Sequence, residues 1–190
     1  LGNTRFLALF PSHDQEAQRR AKVAALPADQ QLRYHLACLE DVALPELDLS
    51  HELASSLGEE AEAALFMLDH QQVAHALLPM LDKPSKQWRA AMMLAQLAYR
   101  DASVVAALRQ HLQAPVKHRS EESGRGWCAS ALGAMGDHDW LLHQTGRLPD
   151  ELIAQGLAYP YRAWNSKPGT TALPLNYAPL EQALGSSPAL

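Results

Sequence analysis

Apolar positions recur at helical spacing along most of the chain. Leu32, Leu36 and Leu39 share one face of a predicted helix that begins at Ala28. Leu49, Leu53 and Leu57 step by four through a helix predicted to open at Pro45 and close at Gly58. Ahead of them, residues 14–25 read as a helix with acids in its first turn, capped by Ser12 and stopped before Pro27. Glu59 and Glu60 begin a fourth helix with Ala61, Ala64, Leu65 and Leu68 inward. A fifth is predicted over 71–81, facing inward through Val73, Leu77, Leu78 and Leu81; Pro79 inside it is expected to kink it or end it early.

The second half continues the pattern. A sixth helix is predicted over 84–99, and its stretch 90–95 is apolar all round, which suits a helix sandwiched between others. Asp101 is expected to cap a seventh, with Val104, Val105, Leu108 and Leu112 on one face. Ser120, Glu121 and Glu122 start an eighth, turning Trp127, Cys128, Ala131, Leu132 and Met135 inward. Gly124 and Gly126 weaken its first turns by about 1 kcal/mol each. Asp137 is placed as the cap of a short ninth helix ended by Gly146, and Asp150 as the cap of a tenth over 151–158. Residues 160–190 then hold five of the twelve prolines. They read as an extended segment whose Tyr161, Trp164, Leu173, Leu175 and Tyr177 pack part of it back on the helices. The expected organisation is one helical domain over 1–159 followed by that segment.

Composition agrees with an all-α fold. Ala and Leu contribute 32 residues each, whereas Val, Ile and Thr together contribute 11 of 190, and strands favour the β-branched types. The apolar fraction of 47% excludes wholesale disorder, and the longest unbroken apolar runs are too short to span a bilayer. Cys38 and Cys128, 90 positions apart, fit no metal or redox spacing and read as buried free thiols. A cytoplasmic location follows as the default. The excess of Arg over Lys, 11 to 5, beside abundant Ala hints at a bacterial source.

A repeat search sharpens the picture. The run Trp88-Arg89-Ala90-Ala91-Met92-Met93-Leu94-Ala95-Gln96-Leu97-Ala98-Tyr99-Arg100-Asp101 aligns with Gly124-Arg125-Gly126-Trp127-Cys128-Ala129-Ser130-Ala131-Leu132-Gly133-Ala134-Met135-Gly136-Asp137. In both, Asp follows Arg by twelve positions across an Ala-rich helix. Here the chain resembles the HEAT-repeat family, in particular its short bacterial HEAT-like form. The resemblance covers 59–146 and is closest at Ala131-Leu132-Gly133-Ala134-Met135-Gly136-Asp137. It departs from the family at Gly124, at Gln96 and throughout 1–58. What it implies is a short right-handed α-solenoid of helical pairs, with Arg89, Asp101, Arg125 and Asp137 as structural residues that hold successive turns in register. A non-repetitive helical bundle is the alternative.

The net charge of −5 conceals two opposed blocks. Residues 41–82 hold nine acids and no Lys or Arg, whereas 83–126 hold eight basic residues and three acids, a net +5. Such asymmetry speaks to partners rather than fold. Glu52, Glu59, Glu60 and Glu62 form a candidate acidic face for a basic protein partner. Lys83, Lys86, Arg89, Arg100, Arg119 and Arg125 form a candidate basic stretch, for which nucleic acid is the alternative partner. Against the latter stand an acidic chain and a shortage of aromatic residues for base stacking.

Local chemistry is sparse. Asp137, His138, Asp139 and His143 are the densest group of metal-ligand types, yet only Asp139 and His143 would share a helix face. His70 and His75 diverge on their helix, and His35 suits a partly buried, hydrogen-bonded position. No phosphate loop, nucleophile elbow or local triad is evident, so no catalytic residue, metal or cofactor is assigned. The expected function is non-catalytic protein binding by an adaptor, a scaffold or an inhibitor of the immunity type. The alternatives are nucleic-acid binding and a helical enzyme or ligand-binding domain with a pocket near Trp127, Trp140 and Trp164.

Overall fold

The structure, a computed structural model, describes residues 13–117 and 119–159. The expectations for Ser12, Trp164 and the segment 160–190 lie outside the described residues. Among the described residues ten α-helices follow one another: α1 (His13–Ala24), α2 (Ala28–Glu40), α3 (His51–Ser56), α4 (Gly58–Leu65), α5 (His70–Leu81), α6 (Gln87–Leu97), α7 (Ala102–Gln113), α8 (Arg119–Ala134), α9 (His138–Leu142) and α10 (Asp150–Ala158). A 3-10 turn, Pro45–Leu47, precedes α3. Among the described residues the sole extended pairings are the isolated bridges Leu44–Leu49 and Thr145–Leu148, so the fold is all-α. The helices group into two compact units that divide between Leu68 and Asp69. No helix among the described residues is long and apolar enough to cross a membrane.

In the first unit α2 packs against α1, α3 and α4. It buries Tyr34, Ala37, Cys38 and Leu39, with Ala54, Ala61 and Leu65 supplied by α3 and α4. The single helix expected from Pro45 to Gly58 is replaced by a 3-10 turn and a separate α3. Leu44 and Leu49 are both buried and pair through their backbones, which folds the chain back on itself around Asp48 at φ 55°. Ser50 then caps α3 by accepting from the Leu53 N–H at 3.2 Å. Gly58 does not close a helix; it is buried and opens α4.

In the second unit α8 is central and packs against α6, α7, α9 and α10, while α5 packs against α6 and α7. The all-apolar run of α6 is enclosed, with Ala90, Ala91, Met93, Leu94 and Ala95 buried. Burying each large side chain there contributes roughly 1.5–3 kcal/mol. The small residues of α8 allow a very close crossing with α10: a Cβ on Gly133 would stand 1.8 Å from the Gly156 carbonyl oxygen. Ser130 donates to the Gly126 carbonyl at 3.0 Å and accepts from Gln155 Nε2 at 3.1 Å, so the one buried hydroxyl in this seam is satisfied.

Two details are settled here. Of the two outcomes expected at Pro79, early termination does not occur, and helix α5 runs through it to Leu81. Pro79 is exposed near the helix C-terminus, so a single lost backbone bond is outweighed by buried Val73, Leu77, Met80 and Leu81. Asp150 is the first residue of α10, with Pro149 in the cap position and no side-chain cap bond.

Candidate functional site

Several charged residues of the second unit are drawn into its own scaffold. Arg109 holds Asp137 through Nε to Oδ2 at 2.8 Å and Nη2 to Oδ1 at 2.7 Å, and its guanidinium lies 5.0 Å from the Trp140 ring centre. Asp137 therefore makes no cap bond to α9. Arg100 donates to the Met135 carbonyl at 3.1 Å and stands 3.9 Å from Asp137. Arg125 donates twice to the Leu112 carbonyl, at 3.0 and 2.8 Å, tying the start of α8 to the end of α7. Asp101 caps α7 through the Ser103 N–H at 2.8 Å. The Ser103 hydroxyl and backbone bonds hold its carboxyl well below the usual range, at about 2.

Of the four residues nominated for register, Arg125 and Asp137 join neighbouring helices through Leu112 and Arg109. Arg89 lies over the Trp88 ring at 5.3 Å, and the partner of Asp101 beyond its own helix is His75 at 3.4 Å. Of the candidate basic stretch, Arg100 and Arg125 are thus engaged within the fold, Lys83 and Lys86 sit at the turn before α6, and Arg119 opens α8. The candidate metal group is also dispersed: His138 Nε2 meets the Gly133 carbonyl at 3.0 Å and His143 Nδ1 the Asp139 carbonyl at 2.6 Å. Among the described residues no group of three or more ligand types could hold a metal ion. His75, Asp101 and Ser103 do cluster. Both short contacts of the imidazole are made by Nε2, however, so its other nitrogen is not oriented by the acid as a triad requires.

The acidic face lies on α3 and α4 of the first unit. Glu52 and Glu59 are exposed and Glu62 is half-buried. Glu60 instead points to α1: Arg19 Nη2 donates to both of its oxygens at 3.0 and 2.8 Å, and Arg20 approaches at 3.4 Å. Burial pushes the Glu60 carboxyl up, but Arg19 and Arg20 bring it below the usual range overall.

Beside this pair opens a groove of about 550 Å³, within the range of ligand and peptide sites. Its apolar wall is Val23, Leu26, Tyr34, Leu47 and Leu53, and its charged rim includes Glu16, Arg19, Lys22, Glu46 and Asp48. The amphipathic α1 supplies one side, and the 3-10 turn with α3 supplies the other. Tyr34 is 2% exposed and its hydroxyl has no hydrogen-bond partner. Burying a hydroxyl in that state costs about 1–3 kcal/mol. Burial raises the phenol above its ordinary pKa, and the neighbouring Arg19 guanidinium works in the opposite direction. Behind this wall, burial pushes the Cys38 thiol up to about 11, and His35 is held below its ordinary value by burial.

Sequence reasoning nominated Glu60 but not Arg19, Lys22 or Tyr34. Arg19 and Glu60 are 41 positions apart, so no local spacing joins them. Comparison of the chain with family models, with curated proteins and with solved structures finds no match in any of the three.

Proposed function

We propose that the chain is a non-catalytic protein-binding module, with a short HEAT-like stack in its second unit and a partner-binding groove in its first. The stack is supported by the packing order in that unit. Successive pairs α5–α6 and α7–α8 set α5 beside α7 and α6 beside α8, the arrangement of two stacked α-solenoid repeats. The small residues at the α8–α10 crossing suit a third pair, α9–α10.

The groove carries the functional reading. An apolar wall of five side chains beside charged residues of both signs matches the layout of protein-recognition sites, where apolar anchors are set within a polar rim. The rim acids Glu16 and Asp48, with Glu52, Glu59 and Glu62 nearby in sequence, favour a partner segment that combines apolar and basic side chains. An inhibitor of the immunity type, an adaptor and a scaffold would all use such a surface.

The test is retention of a stoichiometric protein partner by the immobilised chain from a lysate of its source cells. Leu53→Lys is expected to abolish retention, and the triple charge reversal Glu52→Lys, Glu59→Lys, Glu62→Lys to weaken it, both with unchanged helical circular dichroism. Retention that survives Leu53→Lys removes the groove from the function. A detected turnover without any retained partner overturns the class.

A further inference from the structure

The wall of the groove carries two polar side chains, Tyr34 and Arg19. Tyr34 is almost completely buried, lines the groove, and carries a hydroxyl without a partner. Arg19, on the same wall, bonds Glu60 through Nη2, and its guanidinium stands close enough to the Tyr34 hydroxyl to lower the phenol's pKa. With a side chain 18% exposed, Arg19 is anchored yet still reachable. Two donors therefore stand together at the closed side of an otherwise apolar wall. Buried donors are normally satisfied, and a planar guanidinium edge beside a phenol matches the two oxygens of a carboxylate. Acids also line the groove: Glu16 and Asp48, with Glu46 already paired to Arg33, would attract a cation.

We infer that the inner wall is a carboxylate subsite for a peptide segment of the partner. The carboxylate is received by the Tyr34 hydroxyl and the Arg19 guanidinium. The segment's apolar side chains lie on Val23, Leu26, Leu47 and Leu53, and a basic side chain meets the rim. This rests on the groove being the partner-binding surface, and it names which end of a peptide enters and why. Glu60 acts as a positioning residue, since both of its oxygens bond Arg19 Nη2 and fix the guanidinium on the wall.

The experiment titrates the full chain, observed by NMR, with three probes: acetyl-Lys-Leu-Leu with a free carboxylate, its C-terminal amide, and octanoate. The expected result is that the peptide acid perturbs Tyr34, Leu47 and Leu53 and binds roughly tenfold more tightly than the amide, the usual difference for a charge-assisted hydrogen bond. Tyr34→Phe is expected to narrow that difference by several-fold. It should leave Tm unchanged or raised, because the hydroxyl it deletes contributes no bond to the free fold. Equal binding of acid and amide at Leu47 and Leu53 would overturn the subsite and leave the groove reading standing. Tighter binding of octanoate than of the peptide acid would overturn the choice of a peptide. A marked fall in Tm in Tyr34→Phe would show the hydroxyl to be satisfied within the fold, against the proposal. No perturbation of Leu47 or Leu53 by any probe would remove the groove reading along with it.

Discussion

Arg109 and Asp137 form a two-pronged ion pair across 28 positions of sequence, with both bonds under 3 Å and the carboxylate side chain only 6% exposed. The Trp140 ring beside the guanidinium excludes water from one side of it. Removing one partner of such a pair leaves a charge in a poorly solvated place. Arg109→Ala is expected to lower unfolding free energy by about 2 kcal/mol, discounted from a fully buried pair because Arg109 is partly exposed. Arg100→Ala, whose side chain is 59% exposed, should cost under about 1 kcal/mol. Urea denaturation of the two variants checks the order; equal losses would contradict it.

The α8–α10 crossing makes a sharper demand. Gly133→Ala drives a methyl into the Gly156 carbonyl, a backbone atom that can move only if the helices separate. The expected loss is about 3 kcal/mol, the upper end for overpacking. At Gly126 the added methyl meets the amide end of Gln155, which can rotate, and Ala is the better helix former. Gly126→Ala should therefore remain within about 1 kcal/mol of the parent. Thermal melts of the pair read the contrast directly.

Acidification should weaken the first unit. His35 is 8% exposed and its ring packs edge-on against Tyr34. Burial holds it below its ordinary value of 6.5; Glu60 opposes that effect and Arg19 adds to it. The folded form thus binds its proton less readily than the unfolded chain. Stability from this group is complete above pH 6.5 and declines as the pH falls below it, towards the depressed folded value. Melting temperatures measured from pH 7.5 to 5 should fall less steeply in His35→Gln than in the parent. Glu60, also below its ordinary value, adds a further loss in the carboxylate range.

Both thiols should be silent in the folded protein. Cys38 and Cys128 are free and buried, and burial pushes them to about 11 and about 12. A disulfide-exchange reagent at pH 8 is expected to titrate neither thiol in the native protein and both in denaturant, since the thiolate is the reactive form. Fast reaction of one thiol in buffer alone would indicate local opening around it.

Local spacing along the chain suffices for its helical character and for much of its core. Leu faces at spacings of three and four, with Ala between them, leave no other way to bury this much apolar surface. The cap at Asp101 is legible for the same reason, since its bond spans two residues, whereas the caps at Ser50 and Asp69 emerge only in the structure. The all-apolar stretch of α6 declared its enclosed position through composition alone.

The tertiary structure decided whatever depends on residues far apart in the chain. Leu49 reads as a helical position but is taken by a backbone bridge to Leu44 because both side chains are buried there. Asp137 looks like a cap, yet Arg109 in an adjoining helix offers two strong bonds where a cap offers one. The charge blocks are visible in composition, whereas which charges face outward depends on the packing that joins Arg125 to Leu112 and Arg19 to Glu60. The groove itself has no sequence signature. Its walls come from α1, α2, the 3-10 turn and α3, which meet only when the unit folds, and that meeting is what leaves the Tyr34 hydroxyl without a partner beside Arg19.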